Sequence, residues 1–252
     1  MRGLQWFNAL SAGATPVEGL PASLKVADGE LGRFIAVVTD AQNRFPRARN
    51  GEVGLLEGWG LAKAVDEAIA RGDKRPIIAI VDVPSQAYGR REEALGIHQA
   101  LAAAADSYAR ARLAGHPVIA LLVGKAMSGA FLAHGYQANR LIALRDPGVM
   151  VHAMGKASAA RVTLRSVEEL EALAASVPPM AYDSDSYASL GLLWETLSVS
   201  QIEQPTPDDV ARVRECVVSA IKDIASTDLS GRLGATNRAA SSHVRQLLRA
   251  QW

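Results

Sequence analysis

Four stretches of this chain are apolar at every residue: Phe34–Val38, Pro76–Val81, Val118–Val123 and Leu141–Leu144. A strand with one wet face alternates polar and apolar side chains. Strands that do not alternate must be covered on both faces, the condition of a largely parallel sheet flanked by helices. Helical patterns lie between them. Leu61, Ala62, Val65, Ala68 and Ile69 recur at helical spacing within residues 55–70, and Gly72-Asp73 closes that helix as a glycine C-cap. One long Ala-rich helix is expected over 92–114. A turn at 124–128 leads into a short apolar helix at 129–134, and Val149-Met150-Val151 reads as a short fifth strand. Strands separated in this way by helices give α/β architecture with right-handed crossovers.

Beyond residue 155 the strand signal fades. Ser166 is placed to cap a helix, Pro205 and Pro207 mark the start of a long helix reaching about Ser226, and 239–250 reads as a last helix. There is no internal repeat, low-complexity tract or linker, so residues 1–252 are expected to form a single domain. Residues 1–32 are rich in Gly, Pro and Ala; Leu4, Trp6, Phe7 and Leu10 make them an amphipathic arm that docks on this chain or on another.

Charge narrows the function. Lys and Arg total 27 against 26 Asp and Glu, a net of +1, which supplies no long-range field for nucleic acid or an anionic membrane. Aromatic residues are 5%, too few for base-stacking platforms. Cys216 is the sole cysteine and lies in an apolar helical stretch, where it reads as a buried structural thiol. Neither C-x-x-C nor H-E-x-x-H occurs, so no metal site is expected. The first residues lack the apolar core of a secretory signal, and no apolar run approaches the ~20 residues of a membrane helix. These features point to a soluble cytoplasmic protein.

Ligands of α/β sheets gather where strands deliver the chain into helices. Two loops answer that description, Val81–Gly89 and Gly124–Ala130. In the second, small residues let backbone N–H groups approach a ligand, and the start of a helix adds positive potential, the ingredients of an oxyanion hole. Tight packing of helix on strand would use the same small residues. Arg44, Arg47 and Arg49 stand in a polar loop that is either simply solvated or a phosphate-docking site. His98 and His134 fall on helices as packing residues, and His116 precedes a proline at a helix end, where a cation suits the dipole.

Val81-Asp82-Val83-Pro84, Gly89, Gly96-Ile97, Ala100 and Ser128-Gly129-Ala130-Phe131 together resemble the carboxyltransferase branch of the crotonase-like superfamily. Within it, the length and the sequence as a whole look like the gamma-subunit family of biotin-independent malonate decarboxylases. Two departures from the carboxyltransferase pattern, Ser85 and Ser128 where glycine is usual, fit a member that does not use biotin. The resemblance implies a crotonase-like fold of stacked ββα units with a helical C-terminal part. It implies a homologous beta subunit as partner in a hetero-dimer or hetero-tetramer. The implied reaction converts malonyl-S-acyl carrier protein to acetyl-S-acyl carrier protein. No cofactor would be bound by this chain; the thioester would be carried on the CoA-like prosthetic group of the carrier protein. Ser128, Gly129 and Ala130 would be the catalytic residues, the last two through their amides. Ser85, Gln86, Gly89, Lys125, Met127 and His152 would contact substrate.

Two rival readings use the same residues. Gly124–Leu132 also resembles the nucleophile region of Clp-type serine peptidases, and Val149-Met150-Val151-His152 their histidine segment, with Asp183 and Asp185 as candidate acids. Alternatively the chain is a non-catalytic scaffold for a partner.

Overall fold

The computed structural model describes residues 1–224 and 229–252. The chain opens with helix α1 (Arg2–Leu10), a two-residue strand β1 (Thr15–Pro16) and a hairpin of β2 (Leu24–Gly29) and β3 (Gly32–Val37). Helix α2 (Leu55–Arg71) leads to β4 (Ile77–Val83). Helices α3 (Arg90–Ala94) and α4 (Ile97–Leu113) lead to β5 (Val118–Met127). Then come α5 (Ser128–Ala133), β6 (Arg140–Leu144), β7 (Met150–His152), α6 (Lys156–Val162), α7 (Val167–Ala174), α8 (Ser184–Ser189), β8 (Glu195–Leu197), α9 (Pro207–Lys222) and α10 (Ala239–Gln251).

The strands form one mixed sheet in the order β1-β2-β3-β4-β5-β6-β8. β1, β2 and β3 pair antiparallel, and from β3 onward the pairing is parallel. Every residue of β3 is buried, as are all of β4 but Asp82 and all of β5 but Lys125. The unbroken apolar runs thus correspond to strands covered on both faces. Helices α2 and α4 pack closely on each other over one face; α1 and α9 lie against the other. The α2–α4 approach depends on Gly58, where a Cβ would stand 2.7 Å from the backbone carbon of Ala100. From α1, Gly3, Trp6, Phe7 and Leu10 are buried, and the Trp6 indole donates to the Ile202 carbonyl at 2.9 Å.

Several sequence expectations are corrected. The single helix over 92–114 is two, because Gly96 adopts a left-handed φ of 81° between α3 and α4. The turn at 124–128 is strand: β5 runs ten residues, pairing with β6 over Ile119–Leu122 and with β7 over Lys125–Met127. The short strands β1, β2 and β8 carry too few apolar residues to stand out. Ser166 caps α7 and Gly72 caps α2 with a φ of 70°. The long C-terminal helix ends at Lys222; the expected end near Ser226 lies outside the described residues. His98 is exposed, not packed, whereas His134 is fully buried. Cys216 is half-buried against the core, and that burial pushes its thiol up to about 11, leaving it unreactive at neutral pH. Among the described residues no helix is long and apolar enough to cross a membrane.

Candidate active site

β4 and β5 are neighbours, so the loops that leave their C-terminal ends lie side by side. The first carries Gln86. Its backbone is held by Val53 on both sides: Val53 donates its amide to the Ser85 carbonyl at 3.0 Å, and Ala87 donates to the Val53 carbonyl at 2.9 Å. The second passes from the last residue of β5 straight into α5. Ser128 makes that turn with a φ of +62°, a left-handed conformation that a non-glycine residue adopts at a cost of about 1–2 kcal/mol.

The two loops meet at one atom. Gln86 Oε1 accepts a hydrogen bond from Ser128 Oγ at 2.6 Å and another from the Gly129 amide at 2.6 Å. A Cβ on Gly129 would lie 2.8 Å from that oxygen, so glycine is what permits the approach. Asp82, where the β4–β5 register shifts, ties the strand ends together: its carboxylate accepts from the Lys125 amide at 3.1 Å and the Gly3 amide at 3.0 Å.

Gln86, Ser128, Gly129 and His152 line one cleft of about 650 Å³. Its remaining walls are mostly apolar, from Phe131, Leu132 and Val151 to Pro178, Pro179 and Leu192. Among the described residues no Asp, Glu, Lys or Arg lines it. His152 Nδ1 lies 3.0 Å from the Met154 carbonyl and 3.2 Å from the Met154 amide, so the backbone of that one residue holds this ring nitrogen. Burial holds the imidazole below its ordinary pKa, offset in part by the Met154 backbone bond. The ring stacks on Tyr182 with centroids 3.9 Å apart.

The other expected site residues lie elsewhere. Ala130 is fully buried in the main core beneath the elbow. Met127 turns away from the cleft and packs with Ala159, Ala160, Leu170 and Tyr182. The Lys125 side chain is exposed and does not line the cleft. Ser85 engages Val53 through its backbone, and Gly89 sits against Arg47 and Glu92, where a Cβ would lie 2.8 and 2.4 Å from them. Arg44 and Arg91 lie over the Phe45 ring, 4.9 and 5.2 Å from its centroid, on the exposed surface. Helix α5 has only six residues, too short for a sizeable macrodipole, so its start adds little of the expected field.

Sequence reasoning gave no role to Tyr136, Pro178, Pro179, Tyr187, Leu190 or Leu192, all of which line the cleft. The Tyr187 hydroxyl is buried with no hydrogen-bond partner among the described residues, and burial raises its pKa, so it stays protonated. All but Tyr136 follow the last clear strand, and nothing in their spacing signals a cleft wall.

The arrangement does not form a serine triad. Ser128 donates to Gln86, His152 is bonded to Met154, Asp183 caps α8 through Ser186, and Asp185 pairs with Arg145. An uncharged, apolar cleft with an oxygen-binding elbow instead suits a reaction in which negative charge moves from a carboxylate onto a carbonyl oxygen.

The malonate decarboxylase gamma subunit family matches residues 48–252. The malonyl-S-ACP:biotin-protein carboxyltransferase MADD of Malonomonas rubra is 35% identical over 207 residues, covering 78% of this chain and 68% of that protein. A chain of a Pseudomonas malonate decarboxylase hetero-tetramer in complex with coenzyme A is 71% identical, with a TM-score of 0.94 over 100% of this chain and 99% of that one. A chain of the Pseudomonas MdcD-MdcE hetero-dimer is 68% identical with a TM-score of 0.91, again over 100% and 99%. Transcarboxylase 12S, at 20% identity and a TM-score of 0.66 over 87% of this chain and 39% of that one, shares the fold.

Proposed function

This chain belongs to the malonate decarboxylase gamma subunit family, and from that membership we propose that it supplies one wall of a decarboxylase cleft whose other wall is a homologous beta subunit. The substrate is malonyl-S-acyl carrier protein, delivered on the carrier's CoA-like prosthetic group. The bond between the malonyl methylene carbon and its carboxylate breaks. Carbon dioxide leaves, and the electron pair passes through the methylene carbon to the thioester oxygen, giving an enolate. Protonation of the methylene carbon then yields the acetyl thioester.

The cleft's uncharged lining carries this reading. A carboxylate brought there loses water and meets no cation among the described residues of this wall, so its ground state is raised. As charge shifts toward the thioester oxygen, a donor fixed in the cleft stabilises it more than the starting ketone. Ser128 and Gly129 build the elbow that fixes that donor. His152, neutral at pH 7, forms a wall beside the reacting carbons. The reaction asks no metal or redox step of this chain.

The test is reconstitution. Carbon dioxide release from malonyl-S-acyl carrier protein is expected from the complex of this chain with its beta partner and not from this chain alone. Turnover by the isolated chain would show that one subunit suffices. A complex that assembles and turns over normally with Ser128→Ala and Gly129→Val would make the chain a scaffold.

A further inference from the structure

We infer that the donor which holds the developing enolate oxygen is the side-chain amide nitrogen of Gln86, fixed in place by the elbow, and not the Gly129 amide itself. The inference rests on the decarboxylase reading of the cleft. The orientation of the Gln86 carboxamide is decided by its neighbours. The Gly129 N–H can only donate, so the Gln86 atom 2.6 Å from it is the oxygen. Ser128 Oγ donates to the same oxygen. Both lone pairs of Oε1 are thereby used, and Nε2 is turned the other way.

No side chain or carbonyl among the described residues accepts a hydrogen bond from Nε2, and the nitrogen is not among the buried atoms that lack a partner. It is therefore open to a ligand, on a residue that lines the cleft. Two hydrogen bonds accepted at oxygen draw electron density along the amide and sharpen the N–H groups as donors. The backbone of Gln86, clamped by Val53 on either side, adds the rigidity that preorganised charge stabilisation needs. The Gly129 amide, by contrast, already has its acceptor. Using it for substrate would require Gln86 to leave and two 2.6 Å bonds to break. The sequence pattern of a small-residue turn pointed to the amide; in the structure that amide is engaged in holding Gln86.

Three variants of the assembled complex separate the possibilities. Gln86→Glu keeps an oxygen for Ser128 and Gly129 but replaces the donor with a negative charge. It is expected to assemble, to melt at the wild-type temperature, and to lose about 100-fold in kcat, the loss typical of one oxyanion donor. Gln86→Ala exposes the Gly129 amide. If Gln86 merely plugs an amide hole, this variant keeps or gains activity, and the inference is overturned; a similar 100-fold loss in kcat supports it. Gln86→Met, apolar and of similar length, is expected to behave as Ala does. A rise in KM with kcat unchanged would place Nε2 on the ground-state carboxylate and overturn the assignment to the enolate oxygen. A wild-type complex that releases no carbon dioxide would instead remove the decarboxylase reading, and it is measured alongside.

Discussion

His134 Nδ1 lies 3.0 Å from the hydroxyl of Tyr108, and its Nε2 lies 3.0 Å from the Ile80 carbonyl. The carbonyl can only accept, so Nε2 bears the proton and Nδ1 accepts from the phenol: a neutral imidazole, fully buried between α4 and β4. Burial pushes its pKa down from 6.5 to about 4, the Ile80 bond offsetting only part. The unfolded chain therefore takes up a proton below about pH 6.5 that the folded chain refuses until about pH 4. Stability is full above the first value and falls as pH drops through that window, by roughly 3 kcal/mol. Urea melts at pH 7 and pH 5 should show the fall, and His134→Gln should flatten it. Equal slopes in wild type and variant would remove His134 as the cause.

The elbow makes a second prediction. Ser128 contributes both a hydroxyl and a strained backbone. Ser128→Ala should cost the complex about 10-fold in rate, the worth of one hydrogen bond that orients Gln86. Ser128→Gly should lose the same activity yet be more stable than Ser128→Ala by about 1 kcal/mol, because glycine relieves the left-handed φ. Equal melting temperatures for the two variants would mean that the turn relaxes in solution.

A serine-directed fluorophosphonate should leave the protein unlabelled. The Ser128 proton is committed to an amide oxygen, which is no base, and His152 is turned to Met154. Mass spectrometry after prolonged incubation reads this directly, and an adduct on Ser128 would revive the peptidase reading.

Gly58→Ala tests the helical layer beneath the cleft. The added methyl would collide with the Ala100 backbone at 2.7–2.8 Å, and neither helix can yield without moving. A loss of about 2 kcal/mol in denaturant unfolding is expected. No change would mean that α2 and α4 are further apart than they stand here.

The sheet was legible because burial on both faces erases alternation, and the strands at 34, 77, 118 and 141 wrote that plainly. The carboxyltransferase motifs led to the gamma-subunit family and to a fold shared with transcarboxylase 12S, and the comparisons bear both out. Shorter signals failed. Gly96 broke a helix that its apolar spacing made continuous, and Lys125 at the end of β5 looked like a turn because only its neighbour β7 makes it strand. At the cleft, Gln86, Ser128, Gly129 and His152 were named in advance and do share one cavity. Met127 and Lys125 do not: Met127 is taken up by the cluster of Ala159, Ala160, Leu170 and Tyr182, and the Lys125 side chain lies in solvent outside the cleft. Tyr136 and Tyr187 reach the cleft only through tertiary folding, which no local pattern encodes.

Asp82 holds an amide from α1 with one oxygen and an amide from β5 with the other, while its own strand continues toward Gln86. The gap between Gln86 and the elbow is therefore gauged by the sheet's framework, and the loops inherit it. A chain so trussed can vary the lip of its cleft freely, but a change at this one carboxylate, which does not itself line the cleft, would throw both arms of the cradle out of true at once.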